Sequence, residues 1–363
     1  MKTVKLQFDF DDILIVPSKK TNITSRYKDI TLPEQLPLFT APMDTVVNAN
    51  NMFTFLENGI GVTLPRTVKR DEYHMLPNSV FISVGFEDLD FFYKQNFKAF
   101  NAGQHILIDV ANGHMQKVVD YARELKRLRP DVKIMVGNIA NPETYWWYAE
   151  NDCADYIRIG IGNGNGCLTT KQSGIGHPMA SLIREVYEQK LKFIKHNNID
   201  LRKNDYKPIP TEPERLIPAI VADGGMKDFS DIIKSLALGA DYVMIGSIFN
   251  KALESAAPNY FHGVRVNKKL ANYLFDKGYP IKKYFRGMST KEAQKAMGKT
   301  SFKTSEGVIR FRQVEYHLEG WVENFEHYLR NAMSYENAKT LDKFIGKVEI
   351  CQISKNAYDR FNK

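Results

Sequence analysis

The sequence predicts an α/β protein of the (β/α)8 TIM barrel class, and three observations lead to this fold. Short apolar runs rich in β-branched residues recur along the chain, most of them bounded by Gly, Pro, Asn or Asp. Amphipathic stretches long enough for a helix separate most of these runs. The runs mostly begin roughly 20 to 28 residues apart, close to the repeat of an eightfold barrel. We therefore expect one barrel domain over residues 1–363.

The eight apolar runs are predicted to be parallel strands with both faces covered. Residues 106–108 and 220–222 are continuously apolar rather than alternating, as expected in a buried parallel sheet. Residues 114–128 and 229–238 combine helical periodicity with a polar opposite face, which predicts helices of the outer ring. The predicted strands span residues 38–41, 60–64, 80–85, 105–110, 133–138, 156–161, 219–223 and 242–246.

Two longer segments interrupt the repeat. Residues 190–214, between the sixth and seventh strands, are rich in Lys and Asn and contain three prolines. They predict an insertion made of an extended helix followed by a surface loop. After the eighth strand, residues 248–344 are too long for one helix and contain a Gly-Met-Ser motif. This length predicts a mobile active-site flap over residues 257–318.

The composition excludes several classes of protein. Hydrophobic residues make up 43% of the chain and charged residues 25%, the ordinary balance of a globular protein. No apolar run approaches the roughly 18 to 20 residues of a membrane span, and the first residues lack a signal-peptide core. We expect a cytoplasmic protein with no membrane partner. The three cysteines show no paired spacing, which favours reduced thiols.

The net charge of +8 would attract polyanions, so nucleic acid and anionic metabolites are both considered. Lysines crowd residues 190–207 and 268–303, but neither stretch carries a nucleic-acid-binding motif. Charge runs of this kind usually form solvated surface. We expect a small-molecule partner and no nucleic acid.

A glycine-rich loop with one cysteine follows the sixth predicted strand. Glycines at every second position from 160 to 166 allow turns that a β-carbon would forbid, so the loop can fold around an ion or a substrate. The next residue, Cys167, is either a nucleophile or an inert small apolar side chain. The loop lies at the C-terminal end of a strand, where barrels assemble their active sites.

Four further motifs and this loop carry a resemblance to a known family. The motifs are Phe-Asp-Asp-Ile-Leu-Ile-Val-Pro at 10–17, Ala-Pro-Met-Asp-Thr at 41–45, Val-Ala-Asp-Gly-Gly at 221–225 and Phe-Arg-Gly-Met-Ser at 285–289. Together they resemble the IMP dehydrogenase and GMP reductase family over nearly the whole chain. The resemblance implies a purine-nucleotide oxidoreductase.

The resemblance also implies a covalent mechanism. Cys167 matches the nucleophile that adds to C2 of the purine ring. A thiolate suits this task because it is strongly nucleophilic and leaves readily. Thr169 and Glu306 match the family's proton-transfer pair, one beside the cysteine and one on the flap.

A purine mononucleotide is the implied substrate. Asp223 matches a carboxylate that accepts hydrogen bonds from both ribose hydroxyls. Asn165 stands where the family has a phosphate-binding serine. The backbone after strands seven and eight commonly cradles phosphate in barrels, and the matching residues are Gly224, Gly225, Gly246 and Ser247. The other implied substrate residues are Met43, Gly287, Met288 and Ser289.

NADPH is the implied cofactor. Asp109, Asn112 and Gly113 match the loop that faces the nicotinamide in this family. The sequence has no Rossmann fingerprint, so the dinucleotide would lie across the barrel mouth. Backbone carbonyls also match a K⁺ site of the dehydrogenase branch, at Gly162, Gly164 and Cys167. The resemblance further implies a homotetramer.

Several features favour the reductase branch of the family. The regulatory modules that dehydrogenases usually insert after the second or third strand are absent from the sequence. The only Arg-Tyr pair is Arg26-Tyr27, far from the flap where dehydrogenases use such a pair for hydrolysis. Residues 110–113 and 287–289 look like the reductase forms of their motifs. The implied reaction is NADPH-dependent reductive deamination of GMP to IMP and ammonia.

Three departures from the family's cysteine loop leave alternatives open. Asn163 replaces a proline, Asn165 the serine, and Gly166 an aliphatic residue. An asparagine amide still donates to phosphate, but it is longer than serine. The alternatives are a stand-alone IMP dehydrogenase-like enzyme, an oxidoreductase of a modified purine nucleotide, and a nucleotide-binding barrel without turnover.

Overall fold

The computed structural model describes residues 4–199, 217–298 and 307–361. The strands are β1 (Ile13–Val16), β2 (Leu38–Thr40), β3 (Thr63–Leu64), β4 (Phe81–Val84), β5 (His105–Asp109), β6 (Lys133–Ile139), β7 (Tyr156–Ile159), β8 (Ala219–Asp223), β9 (Tyr242–Ile245), β10 (Asn259–Phe261), β11 (Val264–Val266), β12 (Lys282–Arg286), β13 (Ile309–Gln313) and β14 (Glu349–Gln352). The helices are α1 (Met52–Glu57), α2 (Phe86–Tyr93), α3 (Gln116–Leu128), α4 (Glu143–Glu150), α5 (Thr169–Ser173), α6 (Met179–His196), α7 (Phe229–Leu238), α8 (Ser247–Asn250), α9 (Lys268–Asp276), α10 (Lys291–Ala296), α11 (Leu318–Tyr335) and α12 (Lys355–Phe361). Short 3₁₀ helices span Phe10–Asp12, Arg70–Met75 and Leu341–Lys343.

Eight parallel strands form the barrel. Their order is β2-β9-β8-β7-β6-β5-β4-β3. The ring closes just before β3, where Gly61 N donates to Leu38 O at 2.9 Å and Thr40 N donates to Gly61 O at 2.9 Å. Each of the eight predicted strands overlaps one strand of this ring, and only β6 extends beyond its predicted bounds, by one residue to Ile139, so the predicted (β/α)8 TIM barrel is confirmed.

Large apolar side chains fill the barrel interior. The rings of Phe39, Phe81 and Tyr156 pack edge to face, with centroids 5.3 to 6.1 Å apart. The packing is completed by Ala41, Leu107, Met135, Ala219, Val221 and Met244. The interior is thus a packed core rather than a pore, as is usual for this fold, and ligands bind at the barrel mouth.

The outer ring contains both helices that the sequence predicts. Helix α3 begins two residues after the predicted start at 114, and α7 has the predicted bounds. At the start of α7, the side chain of Asp228 accepts from Asp231 N at 3.1 Å. The helix ends at Gly239, whose φ of 116° favours glycine. No helix in the described ranges has the length and apolar character needed to cross a membrane.

The predicted insertion at 190–214 begins inside a barrel helix. Helix α6 has 18 residues, and its last turns include residues 190–196. Lys190 Nζ donates to Asp241 Oδ2 at 2.6 Å, which fixes this end of α6 against the residue that precedes β9. Residues 200–214 lie outside the described residues.

The chain after the eighth barrel strand forms a second, smaller sheet, the flap sheet. It is antiparallel, with the order β11-β10-β12-β13. Its small apolar core consists of Leu253, Ala271, Ile281 and Val314. These strands fall inside the predicted flap at 257–318, of which residues 299–306 lie outside the described residues. Movement of the flap stays a prediction.

Buried polar side chains fasten β12 to the barrel. Lys283 is fully buried, and its Nζ donates to Ser255 O at 2.7 Å. Asn250 Nδ2 donates to Tyr284 O at 3.2 Å. Burial lowers the pKa of Lys283 to about 7, because the charged ammonium loses its hydration. Strand β12 therefore attaches the flap sheet to the barrel.

Two strands from distant parts of the chain pair outside the barrel. Strand β1 runs antiparallel to β14, with Ile13 opposite Gln352 and Val16 opposite Glu349. Ile353 N also donates to Asp12 O at 2.8 Å. The pairing brings the beginning and the end of the described chain together.

Candidate active site

A cavity of about 530 Å³ opens at the C-terminal ends of the barrel strands. Active sites of this fold form there because loops from successive strands converge. The barrel side of the wall includes Ala41, Pro42, Met43, Arg66, Asp109, Val110, Ala111, Asn138, Arg158, Asp223, Met244 and Ile245. Loops add Gly164, Asn165, Gly166, Cys167, Thr169, Gly224, Gly225, Met226, Gly246 and Ser247. The flap adds Phe285, Gly287, Met288, Ser289, Gln294 and Met297.

The cysteine loop brings a thiol and a hydroxyl together at this cavity. The loop follows β7, and Cys167 N donates to Gly164 O at 2.9 Å within its turn. Cys167 Sγ donates to Thr169 Oγ1 at 3.2 Å, and both residues line the cavity. A half-buried thiol beside a hydroxyl can couple nucleophilic attack to proton transfer.

Backbone hydrogen bonds join the cysteine loop to the flap. Val308 N donates to Gly166 O at 3.2 Å, and Gly287 N donates to Val308 O at 3.0 Å. Cys167 forms an antiparallel bridge with Gly307. The flap backbone therefore lies directly beside the thiol-bearing residue.

Close packing at this junction accounts for Gly166, where the resembling family has an aliphatic residue. A β-carbon on Gly166 would lie 3.2 Å from Gly287 Cα and 3.3 Å from the ring of Phe285. A β-carbon on Gly287 would lie 2.5 Å from Gly166 O. The two backbones approach more closely than a branched side chain would allow.

The two asparagines of the loop make defined hydrogen bonds. Asn163 Nδ2 donates to His177 O at 3.1 Å, which ties the loop to the segment before α6. Asn165 Nδ2 donates to Ser247 Oγ at 3.0 Å, across to the loop after β9. The side-chain amides therefore brace a loop whose glycines would otherwise leave it poorly restrained.

The glycines that the resemblance assigns to a phosphate cradle lie at the ends of β8 and β9. Gly224 and Gly225 have φ values of 82° and 94°, a backbone region that side chains disfavour. A β-carbon on Gly246 would lie 2.8 Å from Met43 Sδ. These glycines and Ser247 all line the cavity. An anion can approach the backbone closely at such positions.

Asp223 ends β8 and lines the cavity beneath this cradle. Its Oδ2 accepts from Asn138 Nδ2 at 2.8 Å and lies 3.6 Å from Arg158 Nε. Burial raises the pKa of Asp223, while the Arg158 charge and the Asn138 hydrogen bond oppose that rise. The side chain keeps 21% of its surface exposed, so a ligand hydroxyl has room to reach it.

A buried arginine that the sequence analysis did not select links two predicted site residues. Only 5% of the Arg158 side chain is exposed. Its Nη2 donates to Asp109 Oδ1 at 2.5 Å, and its Nε faces Asp223. One guanidinium thus orients the carboxylates assigned to cofactor and ribose. The sequence signal was a charged residue inside the apolar run Tyr156–Ile159.

The cavity also contains Arg66 and Asn138, which the sequence analysis did not select either. Arg66 Nη1 donates to Asp109 O at 3.3 Å. Asn138 Nδ2 donates to Gly160 O at 2.8 Å as well as to Asp223. Asn138 therefore connects the end of β6 to the loop after β7 and to the last residue of β8. Neither residue belongs to a motif that would single it out.

The predicted cofactor segment is only partly at the cavity. Asp109 and residues 110–111 line it. Gly113 packs behind the wall, where Tyr148 Oη donates to its carbonyl at 2.6 Å. Asn112 and Gly113 are not among the described residues that line the cavity. Only the first part of the predicted cofactor segment, residues 109–111, therefore contacts the cavity.

The carbonyls predicted to hold K⁺ lie in and just before the turn of the cysteine loop. Gly164 O accepts from Cys167 N, and a carbonyl oxygen keeps a second lone pair for a cation. Gly162, with a φ of 84°, packs against Thr170 rather than lining the cavity. Backbone carbonyls are ligands that K⁺ accepts, so the donor set fits the ion chemically.

The flap supplies the predicted residues on the opposite wall. Gly287, Met288 and Ser289 line the cavity. Arg286, just before them, forms a two-point salt bridge with Asp44, and its Nε lies 3.3 Å from Asp44 Oδ1. Glu306 lies outside the described residues.

Comparison with known proteins relates this site to a family. Residues 91–360 match the model of the IMP dehydrogenase / GMP reductase domain. The GMP reductase of Streptococcus pneumoniae serotype 19F (strain G54) is 28% identical over 346 residues, covering 92% of this chain and 90% of that protein. The GMP reductases of S. pneumoniae strains P1031 and CGSP14 match with the same identity and coverage. The matched regions include the cysteine loop and the flap sheet.

Proposed function

Because the chain belongs to the IMP dehydrogenase / GMP reductase family and is an oxidoreductase, we propose that it converts GMP to IMP and ammonia with NADPH. The observation that carries this proposal is the pairing of Cys167 with Thr169 at the cavity. The glycine-lined cradle and Asp223 on the same cavity supply sites for the phosphate and ribose of a purine mononucleotide.

Phosphate and ribose fix the orientation of the substrate. The phosphate binds against the backbone of 224–225 and 246–247, where the glycines leave room for close approach. Asp223 accepts hydrogen bonds from the ribose hydroxyls, and Asn138 and Arg158 hold its carboxylate in place. The purine then extends toward the cysteine loop, which places C2 near Cys167.

The covalent step uses the thiol as nucleophile and the hydroxyl as proton carrier. The thiolate of Cys167 attacks C2, a carbon–sulfur bond forms, and the exocyclic amine leaves as ammonia after it is protonated. Thr169 lies 3.2 Å from the sulfur and passes protons between the reacting groups and Glu306. The thiolate later leaves C2 when the purine is reduced, which regenerates the free cysteine.

NADPH, when bound, supplies the hydride that replaces sulfur at C2. Asp109 and residues 110–111 fit the nicotinamide end because they form one wall of the same cavity. Arg158 and Arg66 hold Asp109 from two sides, which keeps this wall rigid. The balanced reaction consumes GMP, NADPH and two protons and yields IMP, NADP⁺ and ammonium.

The fate of the covalent intermediate favours the reductase reaction over the dehydrogenase reaction. A dehydrogenase must hydrolyse the intermediate, and its family uses an Arg-Tyr pair on the flap. Here Arg26 Nη1 donates to Asn331 at 3.0 Å and Tyr27 pairs with His327 at 2.7 Å, both on α11. Neither Arg26 nor Tyr27 lines the cavity. Water at C2 therefore lacks that activating pair.

Two further features belong to this proposal. A K⁺ ion would be held by the carbonyls of Gly162, Gly164 and Cys167 and would stabilise the conformation of the cysteine loop. The active form would be a homotetramer, as the family resemblance implies.

Steady-state assays of the purified protein test the function. We expect oxidation of NADPH with GMP, with one ammonia and one IMP formed per turnover. Efficient formation of XMP from IMP and NAD⁺ would instead assign the dehydrogenase reaction. Asn165 at the cradle favours one other candidate, a nucleotide with a modified 5′ group or base. A binding screen of purine mononucleotides with GMP as the reference distinguishes it.

A further inference from the structure

An arginine of the flap sheet contacts the predicted phosphate cradle from outside the cavity. Arg312 on β13 is half-buried, and its guanidinium carbon lies 4.5 Å from the centroid of the Phe285 ring. Its Nη1 donates to Ser247 O at 3.0 Å. Phe285 and Ser247 line the cavity, whereas Arg312 does not. Arg312 thus acts on the cavity through its two neighbours and through its charge.

Ser247 is held from two sides by this arrangement. Arg312 binds its carbonyl oxygen, and Asn165 donates to its hydroxyl oxygen at 3.0 Å. A hydroxyl that accepts from Asn165 keeps its own hydrogen to donate to an anion. The fixed carbonyl also sets the peptide plane after Ser247. The cradle, the cysteine loop and the flap sheet therefore meet at one residue.

In the part of the chain that the structure describes, no carboxylate balances the charge of Arg312 at close range. Among the described residues, no Asp or Glu lies within salt-bridge distance of its guanidinium. Burial lowers the pKa of Arg312 and the neighbouring Arg310 adds to that effect, while Glu315 and Tyr316 oppose it. A half-buried cation without a counter-ion is costly, and an anion bound nearby would offset that cost.

We propose that Arg312 is a positioning residue that makes the site selective for a 5′-phosphate over a free nucleoside. This rests on the proposed function, since it takes the cradle at 224–225 and 246–247 as the phosphate site. Asn165 is neutral and the glycines carry no charge, whereas Arg312 brings a cation into direct hydrogen-bond contact with the cradle backbone at Ser247. The ligand class is a purine nucleoside monophosphate.

Calorimetric titration of the full-length protein with IMP and with inosine tests the proposal. In the R312Q variant we expect affinity for IMP to fall about tenfold, as for the loss of one charge-assisted contact, and affinity for inosine to stay unchanged. Raising ionic strength should weaken IMP binding less in R312Q than in the unmodified protein. R312K, which keeps the charge, should recover most of the affinity for IMP.

Lys282 provides a matched control on the same sheet. It is an exposed cation on β12, and alternation along paired strands places it on the face opposite Arg312. K282Q should bind both ligands normally. Unchanged IMP affinity in R312Q, or equal losses for IMP and inosine in both R312Q and R312K, would overturn the proposal. If the unmodified protein binds no purine monophosphate at all, the proposed function itself fails.

Discussion

The thiol of Cys167 donates a hydrogen bond to the hydroxyl oxygen of Thr169 across 3.2 Å. In the proposed mechanism these two residues act as the nucleophile and the proton carrier. The flap backbone at Gly307 bridges to the same cysteine. A variant that separates the flap backbone from the cysteine loop at this junction should therefore change turnover more than ligand binding.

Replacement of Cys167 by Ala should lower kcat at least about a thousandfold and change the Kd for IMP less than about threefold, because phosphate and ribose bind elsewhere. Cys351 is exposed and distant in sequence, so C351A should keep full activity. Iodoacetamide should label Cys167 and Cys351 but not Cys153, since burial raises the pKa of Cys153 to about 12. Full activity of C167A would remove it from its assigned role.

Asp223→Asn should weaken binding of IMP by about ten- to a hundredfold, because a carboxylate that accepts from two hydroxyls becomes an amide. The unmodified protein should show a similar loss with 2′-deoxy-IMP. In D223N the two ligands should bind almost equally. Calorimetry gives all four constants, and a D223N protein that still prefers IMP would show that another group reads the ribose.

Glu306→Gln should slow ammonia release about a hundredfold or more and hydride transfer far less, since only the first step delivers a proton to a leaving amine. GMP consumption measures the rate of the first step. The second runs backward from IMP and NADP⁺, where no amine has entered. Equal loss of both rates would be consistent with the reductase assignment but would show that Glu306 does not protonate the leaving amine.

Gly166→Val should reduce kcat by about tenfold while leaving the Kd for IMP little changed. Its β-carbon would lie 3.2 Å from Gly287 Cα, so the flap must retreat from the cysteine loop. Gly166→Ala, which adds one methyl group, should have a smaller effect. Single-turnover kinetics separates the covalent step from release, and normal turnover in G166V would show that the flap adapts freely.

The pH dependence of stability should reveal Lys283. Burial lowers its pKa from the ordinary 10.5 to about 7, so the unfolded chain binds more protons than the folded chain between those values. Stability should therefore rise with pH in this window, by at most about 1.4 kcal/mol per pH unit from this group. Urea unfolding at pH 6.5 and pH 9 measures the difference.

The control for this effect is the neighbouring exposed lysine. K283M should lose the contribution to the pH slope, and K282M should keep it. An identical slope in K283M and the unmodified protein would mean that the ammonium is hydrated in the folded state.

The barrel was predictable because its signal is local and strong. Buried parallel strands leave continuous apolar runs, and α7 carries its own start and stop residues in Asp228 and Gly239. The flap strands gave no such signal. Strand β11 is three residues long and mostly exposed, and Ile309 and Phe311 on β13 face solvent. Pairing with other strands, rather than burial, defines them.

The site was predictable only where residues form a motif. Cys167, Asp223 and the glycines after β8 stand in recognisable runs, and the fold brings them to one cavity. Arg158 and Asn138 were missed because their partners are remote, 49 residues away at Asp109 and 85 at Asp223. Such pairs follow from the side-by-side order of β5, β6, β7 and β8, which single-sequence periodicity does not describe.

The antiparallel pairing of β1 with β14 determines how the molecule responds to mechanical load. Ile13 lies opposite Gln352, so the chain enters and leaves the pair on the same side. Force applied through the two termini would unzip the pair one rung after another from that side, instead of shearing all rungs at once. Backbone hydrogen bonds that bear the load one pair at a time break at low force. In a molecule tethered by both ends, the contact between Ile13 and Gln352 would therefore open before the contact between Val16 and Glu349.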